Sequence, residues 1–239
     1  MFIIKTLLGL LWFVIVSIFG FFYAMLFWGS SDTNHHYAKW FSSGILKIFD
    51  VKVRAENSHY LNMHSPCVYV VNHQSNIDLI TYASICPRNT VVIGKRELLW
   101  IPFFGLYFVA AGNLLIHRQM ARKAQAGLRA AIQKVKKNKV SIWIFPEGTR
   151  NLSGEGLLPF KRGAFILAVQ CQIPIVPIVG APLTSLIDPK SHQLRSDHYQ
   201  IQVLEPISTL GMTESDISQL MIETRQKMLD AYTKMSERV

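Results

Sequence analysis

The chain has 239 residues, of which 50% are hydrophobic and only 17% are charged. This composition excludes a disordered chain, and 14 Gly and 10 Pro without a period exclude a collagen-like or linker sequence. The length suits one sizeable domain together with a membrane segment. The formal net charge of +10 favours an anionic partner, such as nucleic acid, an anionic bilayer or a phosphorylated substrate.

The first predicted element is a membrane helix. Residues 6–31 contain no charged residue, and a helix of that length, about 39 Å, exceeds the roughly 30 Å hydrocarbon core of a bilayer. A cleaved signal peptide is the alternative. Its apolar region would be shorter, and no Ala-x-Ala-like cleavage site follows the run here. We therefore expect an anchor that the protein retains.

A second helical pattern follows in residues 35–49, which are too few to span a bilayer. We expect an interfacial helix or the return leg of a helical hairpin that enters one leaflet; a helix packed on the soluble domain is the alternative. Lys5 alone precedes the apolar run, whereas Lys39, Lys47 and Lys52 follow it, so the positive-inside rule places the main domain in the cytoplasm. The predicted anchor covers residues 1–50 and the predicted α/β domain covers residues 51–239.

Beyond residue 51, short β-branched runs alternate with helical patterns. The predicted strands are residues 67–71, 90–93, 113–116, 140–145, 173–179 and 199–204. The predicted helices are residues 77–86, 120–136, 163–172 and 213–238. The pattern predicts an α/β fold with helices around a largely buried sheet.

Two of these strands have features of a sheet edge. Residues 199–204 alternate polar and apolar side chains, as an edge strand does. Pro174 and Pro177 lack N–H donors, which favours an edge or irregular strand at residues 173–179. Thr213 and Asp216 have the spacing of a capping box for the last helix.

Candidate catalytic residues follow the strand at 67–71. His73 and Asp78 are five residues apart, so on one helix they would lie about 140° apart. They meet if His73 lies on the strand-to-helix turn and Asp78 lies in the first helical turn, with Ser75 as N-cap. Asp78 then either only caps the helix or also orients the His73 imidazole as a general base.

Polar residues also follow two other strands. Glu147 and Arg150 come after the strand at 140–145, where open α/β sheets bind ligands, and a guanidinium suits a phosphate. A polar turn closed by a Glu147–Arg150 pair is the alternative. Lys95 and Arg96 follow the strand at 90–93 and precede a strongly apolar stretch, which suits an amphiphile with an anionic head. Residues 95–162 contain 13 of the 25 basic residues but only 3 of the 15 acidic ones.

The cysteines carry no recognisable site. Cys67, Cys86 and Cys171 are scattered and odd in number, without the spacing of a zinc site. We expect buried thiols in a reducing compartment, and neither a metal nor a cofactor.

Four blocks occur in a fixed order: N-H-x4-D at 72–78, G-K-x-x-L-x-x-x-P-F-F-G at 94–105, F-P-E-G-T-R at 145–150 and P-I-V-P at 174–177. Together with LLPFKRGAF at 157–165, they resemble the bacterial 1-acyl-glycerol-3-phosphate acyltransferases, also called lysophosphatidic acid acyltransferases. The resemblance covers essentially the whole chain. It implies the glycerolipid acyltransferase fold, a mixed and largely parallel sheet flanked by helices, with N-terminal helices that enter one leaflet without crossing it.

The resemblance also implies roles for individual residues. His73 would be the general base that takes the proton of the substrate hydroxyl, and Asp78 would orient it. The implied substrate-binding residues, with Lys95 near the oxyanion or the substrate phosphate, are Lys95, Arg118, Glu147, Gly148, Thr149 and Arg150. The sequence departs from the family pattern at His117, where an acidic residue often precedes the arginine, and at Arg162.

The implied reaction transfers an acyl chain from acyl-CoA or acyl-carrier protein to the sn-2 hydroxyl of lysophosphatidic acid, giving phosphatidic acid for phospholipid biosynthesis. The implied location is the cytoplasmic face of the bacterial inner membrane. Alternatives are a different lysophospholipid acceptor, a covalent route through Ser75 or a cysteine, and a non-catalytic, membrane-anchored binder of anionic lipid. Nucleic-acid binding is not expected, because the anchor opposes it and no basic strand with interleaved aromatic residues occurs.

Overall fold

The computed structural model describes residues 2–116, 121–153, 155–186 and 198–237. Its helices are α1 (Phe2–Leu26), α2 (Asp32–Phe49), α3 (Tyr60–Met63), α4 (Asp78–Ala83), α5 (Phe104–Ala110), α6 (Ala121–Asn138), α7 (Gly163–Cys171) and α8 (Ile217–Ser236). Its strands are β1 (Lys52–Glu56), β2 (Val68–Val71), β3 (Thr90–Lys95), β4 (Leu114–Ile116), β5 (Ser141–Ile144), β6 (Ile175–Gly180) and β7 (His198–Val203).

The strands form one sheet in the order β1-β7-β6-β2-β5-β3-β4. Every neighbouring pair is parallel except β6 and β7, which are antiparallel. The expectation of a mixed, largely parallel sheet flanked by helices is therefore confirmed.

The connections distribute the helices over both faces of the sheet. From β2 through β3 to β4 the chain moves in one direction across the sheet, and from β4 through β5 to β6 it returns. Because such crossovers are right-handed, α4 and α5 cover one face, and α6 and α7 cover the other. Helices α1 and α2 extend the first layer through contacts with α5 and α4, and α8 joins the second through α7.

The centre of the sheet is buried on both faces. All four residues of β2 and all six of β6 are buried, as expected for strands with helices above and below them. The core includes the large side chains of Tyr69, Ile142, Phe165, Ile175 and Ile178, each less than 2% exposed. The near-continuous hydrophobic runs in the sequence therefore correspond to central strands.

Residues 173–179 were predicted as an edge or irregular strand; the edge alternative was wrong, because β6 lies between β2 and β7, whereas the irregular one agrees with its interrupted pairing to β7. Pro177 is accommodated at a gap in the pairing on the β7 side. The antiparallel ladder there covers only Ile178–Gly180, and an isolated bridge joins Ile175 to Ile207. The Pro177 carbonyl still accepts a hydrogen bond from the Leu204 N–H at 2.9 Å. The missing N–H thus falls where the ladder is already interrupted.

The edge assignment of residues 199–204 was also wrong. Strand β7 pairs with β6 on one side and with β1 on the other. Its alternating side chains are buried on one face and half-buried on the other. The alternation therefore indicates that one face of the strand is more deeply covered, and it does not indicate a strand at the edge of the sheet. Strand β1 lies at an edge of the sheet, and the sequence did not predict it. Its residues alternate between exposed and half-buried.

The N-terminal segment folds as a helical hairpin, in which α1 packs along α2. The Trp12 Nε1 donates to the Trp40 carbonyl at 3.1 Å, and the Ser17 Oγ and Tyr37 hydroxyl lie 3.2 Å apart. Close approach depends on Gly44, because a Cβ there would overlap the Trp12 indole. The hairpin expected for residues 35–49 is therefore present, while its entry into one leaflet stays a prediction.

Helix α2 is also attached to the sheet domain, as the alternative expectation proposed. The buried Asn34 side chain donates to the Thr90 carbonyl at 2.9 Å and accepts from the Tyr107 hydroxyl and the Asn113 amide at 2.9 and 2.7 Å. One amide thus joins the hairpin to β3, α5 and the turn before β4. The anchor and the domain share an interface, and their division at residue 50 stays a prediction.

Within the described residues, α1 is the one helix with the length and apolar composition needed to cross a bilayer. Most of its large apolar side chains are exposed, from Phe2 to Leu26. A surface of that kind is consistent with membrane association. At the other end of the chain, the predicted capping box is present: the Thr213 N–H donates to the Asp216 carboxylate at 2.7 Å.

A glycine substitution tests the hairpin packing. We expect Gly44→Ala to lower the free energy of unfolding by about 1–3 kcal/mol, because the new methyl group forces the Trp12 indole out of its position. Thermal unfolding of the detergent-solubilised protein measures the effect. Gly163→Ala is the control, since a Cβ at Gly163 meets no atom within 4 Å. Equal melting temperatures for both variants would contradict the packing described.

Candidate active site

The candidate site lies at the carboxyl edge of the sheet. Strands β2 and β5 are parallel neighbours, with Val70 opposite Ile144, so the residues that follow them emerge side by side. His73 follows β2, and Glu147 follows β5. Lys95 ends β3, the next strand beyond β5. Three of the four sequence blocks therefore meet at the edge where parallel α/β sheets bind ligands.

His73 and Asp78 are in direct contact. The His73 Nδ1 lies 2.9 Å from the Asp78 Oδ2, the side chain of His73 is 12% exposed, and that of Asp78 is 1% exposed. The imidazole also stacks on the Phe145 ring, with centroids 4.3 Å apart. Because a carboxylate only accepts hydrogen bonds, the Nδ1 carries the proton, and the Nε2 is left as the basic nitrogen. Among the described residues, the Nε2 has no hydrogen-bond partner.

Asp78 holds the turn as well as the imidazole. Its Oδ2 also accepts hydrogen bonds from the backbone N–H groups of Gln74 and Ser75. The predicted capping box is only half formed, because the Ser75 Oγ accepts from the Ile77 N–H at 3.3 Å and the Ser75 side chain caps no N–H of α4. The two interpretations of Asp78 left open by the sequence are therefore compatible, since the same oxygen shapes the turn and orients His73.

Two buried amides fix the turn to the end of β6. The Asn72 Oδ1 accepts from the Gly180 N–H at 2.8 Å and from the Tyr82 hydroxyl at 2.6 Å. The Gln74 side chain donates to the Ala181 carbonyl at 2.9 Å and accepts from the Leu183 N–H at 3.0 Å. Neither residue was predicted to have a role. The sequence feature that could have identified them is their position, because they are uncharged polar residues directly after a fully buried strand.

Glu147 points into the protein. Its Oε1 accepts from the His73 N–H at 2.9 Å and its Oε2 from the Leu158 N–H at 3.0 Å, and the residue is 3% exposed. Arg225 on α8 donates to the carbonyls of Leu157 and Leu158. Glu147 therefore connects the main chain of His73 to the loop that α8 holds. Its contact with substrate stays a prediction, and the Glu147–Arg150 pair considered as the alternative is not formed.

Burial raises the pKa of Glu147 from its ordinary value of 4.5 to about 7, and the two backbone hydrogen bonds oppose that rise. The folded protein therefore binds a proton here, between pH 4.5 and 7, that the unfolded chain has released. The contribution of this group to the free energy of unfolding is present below pH 4.5 and is lost as the pH rises through 7.

The turn after Glu147 requires a glycine. Gly148 has a φ of +70°, and a Cβ there would also collide with the Lys161 side chain. Arg150 follows, and its guanidinium donates to the Asn76 Oδ1 at 2.8 Å. The contact brings Arg150 against the loop that contains His73. Thr149 is exposed in the same turn.

The remaining predicted residues make no hydrogen bond to the dyad or lie outside the described residues. Lys95 is half-buried at the end of β3. Lys161 and Arg162 are exposed at the start of α7. His117 and Arg118 lie outside the described residues, so their predicted positions stay predictions. The structure thus brings His73, Asp78, Glu147, Gly148 and Arg150 together.

Two apolar cavities are lined by the ring that supports His73. One, of about 260 Å³, lies between the strand ends and α6 and α7, and Gly148 and Lys161 are among its lining residues. The other, of about 190 Å³, lies between the hairpin and helices α4 and α5. Phe145 lines both cavities. The ring on which His73 stacks therefore borders both cavities.

Glu147→Gln tests the role of this buried carboxyl. The amide can accept only one of the two backbone N–H groups cleanly, so we expect a loss of about 1–3 kcal/mol of stability. The variant also lacks the group that titrates. Between pH 4.5 and 7, the free energy of unfolding of the wild-type protein should therefore fall by about 3 kcal/mol relative to that of the variant. Denaturant unfolding followed across this pH range measures both effects. Glu155→Gln, at an exposed position, is the control, and parallel profiles for wild type and Glu147→Gln would contradict the assignment.

Comparison with known proteins agrees with this geometry. The family model Acyltransferase matches residues 52–180. The chain is 30% identical over 242 residues to the 1-acyl-sn-glycerol-3-phosphate acyltransferases of Salmonella typhimurium and Escherichia coli K12, with 100% of this chain and 96% of each relative covered. It is 38% identical over 189 residues to the human protein named 1-acyl-sn-glycerol-3-phosphate acyltransferase alpha. That alignment covers 79% of this chain and 66% of the human protein.

The fold has a counterpart among solved structures. The crystal structure of the 1-acyl-sn-glycerophosphate (LPA) acyltransferase PlsC from Thermotoga maritima matches with a TM-score of 0.71 and 24% identity, over 96% of each chain. The match to enzymes along the entire chain decides against a non-catalytic lipid binder. The chain therefore belongs to the acyltransferase family, among the 1-acyl-sn-glycerol-3-phosphate acyltransferases, as its four sequence blocks predict.

Proposed function

We propose that the enzyme transfers an acyl chain from acyl-CoA or acyl-carrier protein to the sn-2 hydroxyl of 1-acyl-sn-glycerol 3-phosphate, with phosphatidic acid as the product. The observation that carries the proposal is the His73–Asp78 pair, with the Nδ1 on the carboxylate and the Nε2 without a partner among the described residues. A neutral imidazole held in this tautomer is suited to accept a hydroxyl proton.

The proposed mechanism is direct acyl transfer. The His73 Nε2 takes the proton of the sn-2 hydroxyl as the oxygen attacks the thioester carbonyl. The tetrahedral intermediate collapses, the carbon–sulfur bond breaks, and the imidazolium returns its proton to the departing thiolate. Asp78 stabilises the imidazolium, since its buried carboxylate lies 2.9 Å from the Nδ1. General-base catalysis of this kind contributes about 10²–10⁴-fold to turnover.

The contacts at other candidate nucleophiles favour the direct route over a covalent one. The Ser75 Oγ is engaged by the Ile77 N–H at the turn. Burial raises the pKa of Cys67 to about 11 and that of Cys86 to about 12, and it also raises the pKa of Cys171. At neutral pH all three are thiols, and a thiol is a poor nucleophile compared with a thiolate.

The substrate phosphate is proposed to bind beside the turn after β5. Arg150 already lies against the His73 loop through Asn76, and a guanidinium can bind a phosphate through two parallel hydrogen bonds. Lys95, at the end of β3, and Arg118 are proposed to add charge. Gly148 and Thr149 are proposed to line the site from the turn, while Glu147 keeps its predicted contact in addition to its structural role.

The acceptor is proposed to come from the bilayer. Helix α1 is apolar and largely exposed, and the hairpin it forms is attached to the domain through Asn34. The cations that follow α1 favour the cytoplasmic face of the bacterial inner membrane. The two apolar cavities that Phe145 lines offer space for alkyl chains. A soluble donor and a membrane-dissolved acceptor would then meet at one edge of the sheet.

A panel assay tests the reaction as a whole. Purified protein in detergent micelles is given acyl-CoA or acyl-carrier protein together with lysophosphatidic acid or another lysophospholipid. We expect thiol release that requires lysophosphatidic acid, with phosphatidic acid as the product. Thiol release without an acceptor, or a preference for another lysophospholipid, would contradict the proposed substrate.

His73→Ala tests the general base. We expect turnover to fall by about 10²–10⁴-fold, because the hydroxyl loses its proton acceptor, while lysophosphatidic acid binding persists. Steady-state kinetics and a separate binding measurement distinguish the two effects. His64→Ala, at an exposed histidine on the loop before β2, is the matched control. Full turnover in His73→Ala would remove His73 from the mechanism.

Arg150→Ala tests the phosphate site. We expect the KM for lysophosphatidic acid to rise by about 10–100-fold, as the loss of a charge-assisted hydrogen bond predicts, with a much smaller change in turnover. Arg54→Ala, on the edge strand β1, is the control because Arg54 contacts His198 instead of the site. An unchanged KM would exclude Arg150 from phosphate binding.

A further inference from the structure

The segment between β3 and β4 has an exposed apolar surface that the reaction does not explain. It runs from a 3₁₀ helix at Arg96–Trp100 through residues 101–103 to α5. Five large apolar residues, here called the outer face, are exposed by 38–85%: Leu99, Trp100, Phe103, Leu106 and Val109. Single exposed apolar residues are normal on a protein surface, but a group of five on one short segment marks an interaction site.

The outer face is distinct from the cavity beneath it. The other side of the same segment contributes Leu98, Ile101, Phe104, Tyr107 and Phe108 to the smaller cavity. None of the outer-face residues is among the lining residues of either cavity. Helix α5 is therefore apolar on both sides, which is typical of a helix buried on all sides by protein or by lipid.

Helix α5, which bears two of the outer-face residues, packs against the membrane helix. Phe104 on α5 contacts Phe13 on α1, with ring centroids 5.6 Å apart, and the Ala110 carbonyl accepts from the Gly29 N–H at 2.9 Å. Helix α1 exposes apolar side chains over its whole length. The apolar surface of α1 thus continues onto the sheet domain through α5.

The charges around the outer face match a bilayer. Residues 98–116 contain no charged side chain, whereas two cations, Lys95 and Arg96, and the acidic Glu97 directly precede them. Trp100 is 85% exposed beside these cations. Tryptophan favours the level of the lipid headgroups, and basic residues at that level attract anionic lipids. A soluble protein partner would not account for the continuity with α1.

We propose that the outer face is a second bilayer-contacting surface, which enters the same leaflet as α1. The 3₁₀ helix follows Lys95, the last residue of β3, at the edge of the sheet where His73 lies. Insertion of Trp100 and its neighbours therefore holds this edge at the headgroup level, where a lysolipid presents its hydroxyl and its phosphate. The inference rests on the membrane location in the proposed function, not on its chemistry.

Tryptophan quenching tests the contact directly. The full-length protein is reconstituted into phosphatidylethanolamine–phosphatidylglycerol vesicles with brominated acyl chains, which quench nearby indoles. We expect the emission attributable to Trp100, taken as the difference between wild type and Trp100→Phe, to be quenched. The control is Leu210→Trp in the Trp100→Phe background. Leu210 is 81% exposed near the end of α7, at the opposite edge of the sheet.

Equal and weak quenching at positions 100 and 210 would overturn the inference.

Leu106→Glu provides an independent test, because a carboxylate on the outer face opposes insertion into the leaflet. We expect acyl transfer to vesicle-borne lysophosphatidic acid to fall by at least tenfold, and transfer in detergent micelles to stay within twofold of wild type. Leu210→Glu is the matched control, and thermal unfolding confirms that each variant folds.

The outcomes separate this inference from the proposed function. Quenching of Trp100 in a protein that transfers no acyl chain would support the contact and contradict the proposed reaction. Normal transfer by Leu106→Glu in vesicles would leave the reaction intact and contradict the contact. If the outer face instead bound a second copy of the chain, Leu106→Glu would convert a dimer to a monomer in detergent, and Trp100 would stay unquenched.

Discussion

The site depends on one buried carboxylate. The side chain of Asp78 is 1% exposed, and its Oδ2 receives two backbone N–H groups and the His73 imidazole. A carboxylate removed from water is costly unless donors replace the solvent. Three donors on the Oδ2 supply part of that compensation, while the buried Oδ1 has no hydrogen-bond partner among the described residues. Two of the donors come from Gln74 and Ser75, so the loop must wrap around Asp78. The imidazole completes the set, and its tautomer and orientation follow from that requirement.

The polar residues around this pair mainly hold the main chain in place. Asn72 and Gln74 connect the His73 loop to the end of β6, and Glu147 connects the His73 N–H to the loop held by Arg225. Each is buried or half-buried, and each satisfies backbone groups that would otherwise be unpaired in the interior. Three strands and the last helix therefore fix the position of a single imidazole. Precise positioning of this kind is what general-base catalysis requires.

The anchor and the sheet form one structure. The Asn34 amide bonds to Thr90, Tyr107 and Asn113, so the hairpin is attached to β3, α5 and the turn before β4. Strand β3 ends at Lys95, at the same edge of the sheet as His73. The orientation of the hairpin in a bilayer therefore sets the orientation of that edge. The second cavity lies at this interface, between the hairpin and helices α4 and α5.

The sequence by itself determined the features that local patterns encode. These are the apolar helix α1, six of the seven strands in the described residues, the capping box at Thr213, and the turn on which His73 and Asp78 meet. Side-chain periodicity and turn spacing are properties of neighbouring residues, so they survive without knowledge of the fold. Only the tertiary structure decided that β6 and β7 are internal, that β1 is an edge, and that Glu147 turns inward to two backbone N–H groups. Strand order and burial arise from contacts between residues far apart in the chain, and no local pattern encodes which strands become neighbours.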